Sequence, residues 1–426
     1  MNIILGAGIA GLGAYCADNS SYIFEQAPKA GGLCANFAIN GFLFDKAVHL
    51  SFTNDAFVRS YFDRVKHYSH HPIPYSWYHE QWLQHPAQNN LYPISAEEKV
   101  AAVKGFMERE AKNNPSNFED WTRSQYGEWL YENLFKPYNE KYWCTDLKKM
   151  GIDWIQNRIY RPSVDEVLYG SYTFETPNTY YAKEMRYPHT GGYEAFLTPV
   201  IQQAERNHHI QYNKKAVWID IGRKEIKFAD GETVSYEQLF SSIPLTDIFQ
   251  MLTVCPETVK EEAAKLEYTS LSLVSVGFRK NIHLDKMWFY IYDRDIMAAR
   301  AYMPSVKSPQ NAPTGKSSIQ FEIYFHPRNG APERDICIEN CIYALEKMKI
   351  ADKEDILFTD YRILPYGNII FKKDTVKTSK RLTDWLRTNG ITPMGRFGEW
   401  KYLWSDQAFL SGYHAAQKQI TNGEKK

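Results

Sequence analysis

The sequence predicts an α/β protein in which a Rossmann-like nucleotide-binding domain is interrupted by a helical insert and by an antiparallel β-sheet insert. Three observations lead to this fold class. A glycine-rich turn follows the first strand, apolar residues recur at helical spacing between about residues 55 and 154, and apolar and polar residues alternate between about 269 and 364. The predicted domains are residues 1–55, 186–265 and 385–426 for nucleotide binding, 56–160 for the helical part, and 161–185 with 266–384 for the sheet.

The glycine-rich turn has the pattern G-x-G-x-x-G, supplied by Gly6, Gly8 and Gly11 between a predicted strand and a helix of small residues. These glycines permit a tight turn, close approach of the backbone to a pyrophosphate, and close packing of the helix on the strand. Glu25 follows about 20 residues later, at the place of the acid that binds a ribose. The pair Gly31-Gly32 permits a second close approach. This segment therefore predicts a dinucleotide site, with FAD favoured over NAD.

Local signals give the order of the other elements. Ser95 and Glu98 have the spacing of a capping box, which starts a helix. Apolar residues recur every four positions from Tyr126, and Pro137 is expected to break that helix near its end. Asp230-Gly231 marks a hairpin turn. The predicted strands are 2–5, 22–24, 216–221, 225–228 and 238–243, and the predicted helices of the nucleotide-binding domain are 10–17 and one from about 406.

Composition narrows the class of protein. The 426 residues carry 50 Lys plus Arg and 50 Asp plus Glu, so no overall field predicts binding to nucleic acid or to a membrane surface. The 6 Cys residues show neither a C-x-x-C pair nor the His spacing of a metal site, which favours reduced thiols, a cytoplasmic location and no bound metal. No apolar run reaches the roughly 20 residues that a membrane-spanning helix needs.

Several stretches, taken together, resemble the flavin-dependent UDP-galactopyranose mutase family in its eukaryotic-type pattern. They follow the family's order over nearly the whole chain: GGLCANF with GFLFD, HLSF, PAQNNLYPI, FEDWTRSQYGEWLYENLFKPYNEKYW, MRYPHTGGYEAF, WFYIY and GRFGEWKYLWSDQ. The wider relatives are amine oxidases and protoporphyrinogen oxidases. They share the first 35 residues and the closing Gly-Arg turn, but not the middle stretches.

This resemblance implies a redox-neutral isomerisation between the pyranose and furanose forms of a sugar. In the family, N5 of reduced FAD attacks the anomeric carbon and displaces a nucleoside diphosphate that later returns. The implied partners are a nucleotide-diphosphate sugar, of the UDP-linked kind, and NAD(P)H or another reductant for the flavin. The implied setting is the synthesis of cell-surface polysaccharide, and a homo-oligomer is left open.

The resemblance also implies roles for individual residues. Arg158 and Arg300 resemble the two diphosphate-binding arginines, whose planar guanidinium binds phosphate oxygens bidentately. His49 lies on the loop that moves beside the flavin. Substrate contacts are implied for Phe52, Gln88, Asn139, Trp143, Tyr290, Tyr366 and Tyr402. Besides the five glycines and Glu25, cofactor contacts are implied for Val217, Arg396 and Asp406.

The chain departs from the family pattern at several positions. Ala47-Val48 stands where the family has paired glycines before the loop histidine, and valine restricts the backbone flip expected there. His85 and Ala87 stand where the pattern has aromatic residues, and Asp406 replaces an asparagine. Ala182-Lys183 stands where a further asparagine is expected. These changes leave the sugar and the base open.

Two other functions are compatible with the sequence. An amine-oxidase-like FAD oxidoreductase would take a hydride from its substrate and return electrons to oxygen. A non-catalytic flavin-binding protein would use the nucleotide site alone. The two arginines favour the mutase, because an oxidase of a neutral or cationic substrate has no use for two buried cations.

Overall fold

The computed structural model describes residues 1–110, 114–156, 158–180 and 182–423. The strands are β1 (Asn2–Leu5), β2 (Tyr22–Phe24), β3 (Asn36–Ile39), β4 (Phe42–Asp45), β5 (His67–His70), β6 (Tyr75–Tyr78), β7 (Gln81–Gln84), β8 (Met185–Pro188), β9 (Ile210–Gln211), β10 (Ala216–Asp220), β11 (Glu225–Phe228), β12 (Thr233–Ser235), β13 (Gln238–Ser241), β14 (Glu267–Tyr268), β15 (Ser270–Phe278), β16 (Trp288–Ile291), β17 (Arg300–Tyr302), β18 (Ser318–Phe325), β19 (Ile356–Leu364), β20 (Ile369–Ile370) and β21 (Ile391–Pro393). The helices are α1 (Ile9–Ala17), α2 (Ala56–Phe62), α3 (Ala96–Met107), α4 (Phe118–Tyr126), α5 (Glu128–Leu130), α6 (Lys136–Trp143), α7 (Val164–Tyr172), α8 (Thr198–Arg206), α9 (Leu245–Met251), α10 (Glu257–Ala264), α11 (Pro304–Lys307), α12 (Arg334–Lys347), α13 (Thr375–Thr388), α14 (Gly395–Gly398) and α15 (Ser405–Gly423).

A five-stranded parallel sheet forms the nucleotide-binding part, in the order β21-β13-β1-β2-β9. Its strands come from both ends and the middle of the chain, as the sequence predicts for an interrupted domain. Helix α1 packs against α15, and two glycines allow the backbones to touch. A Cβ on Gly13 would lie 2.1 Å from the carbonyl oxygen of Phe409, and one on Gly412 would lie 1.8 Å from that of Ala10. The last helix therefore packs directly on the first.

The prediction that residues 55–154 are helical is wrong for residues 67–84, which follow helix α2. Strands β5, β6 and β7 lie there, and β6 and β7 form a hairpin at one edge of a seven-stranded sheet. The turn of this hairpin is His79-Glu80, two residues with positive φ angles of 43° and 63°. Hairpin turns of this kind usually contain Gly or Asn. The local sequence consequently gives no turn signal.

The helical insert begins properly at α3. Ser95 and Glu98 form the predicted capping box, with the side chain of each accepting from the backbone N–H of the other. Pro137 does not break its helix as predicted. It is the second residue of α6, which continues to Trp143. A π-helical turn over residues 131–135 precedes it, and such a widened turn accommodates the proline ring.

The seven-stranded sheet has the order β19-β15-β18-β17-β16-β6-β7 and is antiparallel except for the β16–β6 pair. It confirms the antiparallel sheet that the alternation of apolar and polar residues predicts between about 269 and 364. The predicted hairpin turn at Asp230-Gly231 is also confirmed, between β11 and β12. The domain boundaries remain predictions. Within the described ranges, no helix is both long and apolar enough to cross a bilayer.

Candidate nucleotide and substrate site

The glycine turn and Gly31-Gly32 meet at the end of β1. Gly6, Gly31 and Gly32 have φ angles of +98°, +107° and +56°, a region that favours glycine. A Cβ on Gly32 would lie 2.9 Å from the Cα of Gly8, and one on Gly11 would lie 1.9 Å from the carbonyl oxygen of Gly6. Helix α1 starts at this point with no side chain capping its N-terminus. Its first N–H groups are therefore available to a phosphate.

Glu25 lies next to this turn and is 7% exposed. Its carboxylate accepts hydrogen bonds from the backbone N–H of Ala7 at 2.7 Å and of Ala27 at 2.8 Å. A carboxylate has about four acceptor positions, so two remain for ribose hydroxyls. The acid therefore fixes the glycine turn as well as facing the predicted ribose position, a structural role that the sequence pattern did not reveal.

A cavity of about 470 Å³ begins beside the turn, where Ile9, Leu33 and Cys34 line it, and extends to the seven-stranded sheet, where Leu271 and Tyr290 line it. Most of the predicted site residues line it: His49, Phe52, Gln88, Asn139, Trp143, Arg158, Tyr290, Arg300, Tyr366, Arg396 and Tyr402. Its lining includes one lysine and three arginines and, within the described residues, no Asp or Glu. A cavity with this charge pattern suits an anionic ligand.

Of the predicted cofactor residues, all within the described ranges, only Arg396 is in this lining. The five glycines and Glu25 belong to the turn beside the cavity or contact it, whereas Val217 and Asp406 lie elsewhere. Val217 is 43% exposed on β10, where the pairing with β11 is irregular. Asp406 is in the first turn of α15, and its neighbour Ser405 lines the cavity instead. The cofactor roles of Val217 and Asp406 remain predictions.

Arg158 lies flat between two aromatic rings. Its guanidinium carbon is 4.3 Å from the ring centre of Tyr402 and 4.5 Å from that of Trp404. It also donates a hydrogen bond to the backbone carbonyl of Tyr402. Stacking on aromatic faces holds the planar guanidinium in one orientation.

Arg300 has a carboxylate partner. Its Nε lies 2.7 Å from Oε2 of Glu322, the residue directly opposite it on β18. Glu322 is fully buried and also accepts from the N–H of Val48 and the hydroxyl of Tyr324, both at 2.8 Å. Burial, the largest single effect, would by itself lower the pKa of Arg300. The Glu322 carboxylate, together with the hydroxyls of Tyr324, Tyr142 and Tyr138, outweighs burial and raises the pKa well above its usual value.

Glu322 is a site residue that the sequence reasoning missed. It joins Arg300 to the backbone of the histidine loop through the N–H of Val48. The available signal was an acid inside the buried strand SIQFEIYF, since a fully buried carboxylate needs a cationic or hydrogen-bonding partner. Which partner it has depends on strand register, and the sequence does not give that.

The histidine loop has an unusual backbone. Ala47 has a φ of +74°, the left-handed region where a non-glycine residue is strained. Nδ1 of His49 is 3.2 Å from the carbonyl oxygen of Ala47, and its ring lies 5.2 Å from that of Tyr193. Burial lowers the pKa of His49 to about 4, so the imidazole is neutral at pH 7. The loop thus keeps a conformation suited to glycine although it has lost the glycine.

Three residues with implied substrate contacts, Gln88, Asn139 and Trp143, line another part of the cavity. Gln88 donates from Nε2 to the carbonyl oxygen of Tyr160 at 3.0 Å. Asn139 donates to the carbonyl of Phe135 at 2.7 Å and accepts from Nε1 of Trp143 at 3.0 Å. These bonds fix the orientation of both amides. Asn139 and Trp143 therefore shape the wall here.

The tyrosines of the site differ in how free their hydroxyls are. The hydroxyl of Tyr402 lies 3.2 Å from that of Tyr142, inside the cavity. The hydroxyl of Tyr290 accepts from Nε1 of Trp288 at 3.3 Å and keeps its proton available. The hydroxyl of Tyr366 donates to the Asp247 carboxylate, so its proton is already used, and the implied substrate contact of Tyr366 remains a prediction.

The comparisons agree with this geometry. Residues 4–65 match the family model of an NAD(P)-binding Rossmann-like domain. The whole chain is similar to a crystal structure of reduced UDP-galactopyranose mutase, with a TM-score of 0.93, 22% identity, and coverage of 99% of this chain and 95% of that one. It is also similar to a protein assigned as a protoporphyrinogen oxidase from Exiguobacterium sp. 255-15 (TM-score 0.73, 15% identity, coverage 99% and 98%) and to a redesigned putrescine oxidase (TM-score 0.65, 12% identity, coverage 99% and 98%).

The turn, the parallel sheet and the cavity define a dinucleotide-binding α/β protein of the Rossmann-like class, and the predicted fold class is confirmed. Within that class, the chain has the fold of the UDP-galactopyranose mutase structure over nearly its whole length. The predicted resemblance is therefore confirmed at the level of the fold.

Proposed function

We propose that this chain is a flavin-dependent nucleotide-sugar mutase that interconverts pyranose and furanose forms of a UDP-linked sugar. One observation carries the proposal: Arg158 and Arg300 line the same cavity that opens beside the glycine turn. A dinucleotide placed on that turn and a diphosphate held by the two arginines would then occupy one continuous space. This arrangement is what a sugar nucleotide reacting at a flavin requires.

FAD fits the residues present. Its pyrophosphate would lie on the start of α1, where the glycines leave room, and its ribose on Glu25. Arg396 lines the cavity beyond Ser405 and would face the remainder of the cofactor. When bound and reduced, FAD supplies a nucleophilic nitrogen for the sugar's anomeric carbon. NAD(P)H or another reductant would reduce it.

The chain's own residues would then act on the substrate by charge and position. Arg158 keeps its orientation between two rings, and Arg300 keeps its orientation through Glu322, so neither needs to reorganise as the diphosphate leaves and returns. The neutral His49 provides a hydrogen-bonding group that does not add charge to the site. The buried aromatic walls exclude water from the reacting sugar.

The alternative is an FAD oxidoreductase, since the two oxidase structures share the fold. The test is anaerobic incubation of dithionite-reduced, FAD-loaded protein with a panel of nucleotide sugars, followed by chromatography for furanose isomers. The mutase proposal expects furanose product without stoichiometric use of reductant. Oxidation of NAD(P)H or release of peroxide in step with product would establish the oxidoreductase instead. The proposed setting is cytoplasmic synthesis of a cell-surface polysaccharide precursor.

A further inference from the structure

Asn368 lines the cavity, but the family resemblance implies no role for it. It is 3% exposed and lies between β19 and β20. Its backbone is fixed against Thr269 on both sides: its N–H donates to Oγ1 of Thr269 at 2.9 Å, and its carbonyl accepts from the N–H of Thr269 at 2.8 Å. These two bonds fix the backbone of Asn368 at the cavity that it lines.

Hydrogen bonds also fix the orientation of the Asn368 amide. Oδ1 accepts from Nη2 of Arg396 at 2.9 Å and from the hydroxyl of Tyr142 at 3.3 Å. A guanidinium can only donate, so the atom facing Arg396 must be the oxygen. Nδ2 is then the other atom of the amide. Within the described residues it is buried and has no acceptor.

Arg396, which is bound to Asn368, also has a buried donor without an acceptor in the described part of the chain. Nε of Arg396 is buried and has no acceptor among the described residues, although its Nη2 is bound to Asn368. Buried polar groups in folded proteins nearly always have partners. Two adjacent unsatisfied donors in a wall that contains no carboxylate among its described residues indicate a ligand group that only accepts hydrogen bonds and carries negative charge. Phosphate has this chemistry.

Tyr366 does not supply a donor here, because its hydroxyl donates to Asp247. We propose that Nδ2 of Asn368 donates a hydrogen bond to a phosphate oxygen of the substrate's diphosphate. The identity of the ligand as a sugar nucleotide rests on the proposed function, whereas the inference of a phosphate group rests on the two unsatisfied donors. The pyrophosphate of FAD is the other source of phosphate oxygens, and the experiment separates the two.

The experiment compares Asn368→Asp and Asn368→Ala with wild type and with Asn329→Asp, an exposed control in which the same change is made. Dissociation constants of UDP, uridine and inorganic pyrophosphate are measured by calorimetry on the FAD-loaded protein, and FAD content is measured by absorbance. Asn368→Ala should weaken the binding of UDP and of pyrophosphate by about 10- to 100-fold, the scale of a hydrogen bond to a charged group. Asn368→Asp should weaken them further, because its carboxylate repels phosphate and takes up the donors of Arg396.

Uridine affinity and FAD content should stay within about twofold of wild type in every variant, since neither uses the proposed bond. Loss of FAD with unchanged UDP affinity would assign Asn368 to the cofactor and overturn the proposal. Equal weakening of UDP and uridine would show a merely structural effect and overturn it as well. If wild type binds pyrophosphate but not UDP, and Asn368→Asp weakens the pyrophosphate, the phosphate role stands while the proposed function fails.

Discussion

Arg300 and Arg158 should respond differently to removal, although both line the cavity. Arg300→Ala leaves the carboxylate of Glu322 fully buried, with the N–H of Val48 and the hydroxyl of Tyr324 as its remaining partners. Removing one partner of a buried ion pair costs about 3–5 kcal/mol, and two remaining donors place this case near the lower end. Arg158 contacts two rings and a carbonyl, which together are worth about 1–2 kcal/mol.

The assay measures two quantities on the same FAD-loaded samples: the free energy of unfolding from urea titration and the turnover of the nucleotide sugar. Both alanine variants should lose about 10²–10³-fold in turnover, the scale for one preorganised charge donor. Only Arg300→Ala should also lose about 3 kcal/mol of stability. The double variant Arg300→Met with Glu322→Gln is the matched control. It should recover most of the stability, because Gln still accepts from Val48, but none of the turnover.

An Arg300→Ala variant as stable as Arg158→Ala would refute the reasoning about Glu322. A double variant that recovers turnover would show that Arg300 acts on stability and not on the diphosphate. Full activity in both single variants, Arg158→Ala and Arg300→Ala, would remove the electrostatic basis of the proposed function.

Three other predictions follow from the site. Glu25→Ala should weaken FAD binding, measured by equilibrium dialysis, by about 1.5–3 kcal/mol. It should also loosen the glycine turn, so the N–H of Ala7, which donates to Glu25, should exchange its hydrogen faster. Ala47→Val should lower the free energy of unfolding by about 1–2 kcal/mol while Ala47→Gly does not, because a β-branched residue is disfavoured at a φ of +74°; equal unfolding midpoints in urea would contradict this. Burial lowers the pKa of His49 to about 4 and that of His85 to about 3 in the folded protein. In the unfolded chain both histidines have a pKa near 6.5, so between about pH 6.5 and these lower values the unfolded chain binds more protons than the folded protein. Stability should therefore be fully present above about pH 6.5 and fall as the pH drops towards 4, and a His85→Gln variant should show a smaller fall.

The parts of the fold that the sequence predicts are those encoded by neighbouring residues. The glycine turn and the Ser95 capping box need only a few consecutive positions, and the structure has both. The hairpin at His79-Glu80 was missed because its turn uses residues that seldom adopt positive φ. Pro137 was misread because a wider turn upstream accommodates it.

The parts of the site that the sequence could not predict depend on contacts between distant segments. Glu322 meets Arg300 through strand register, and Asn368 meets Arg396 across 28 positions. Tyr366 lines the cavity as implied, but Asp247, from another part of the chain, takes its hydroxyl. A motif gives the residue type at a position, whereas the direction of a hydroxyl or amide depends on packing.

The contact between α1 and α15 has a consequence for how the protein is made. The glycine turn is synthesised long before the strand β21 and before α15, the helix that covers α1. A nascent chain that has reached only residue 390 has the glycines without the backbone surface that packs against Gly13. Cofactor loading should therefore wait until α15 has been synthesised and has packed on α1.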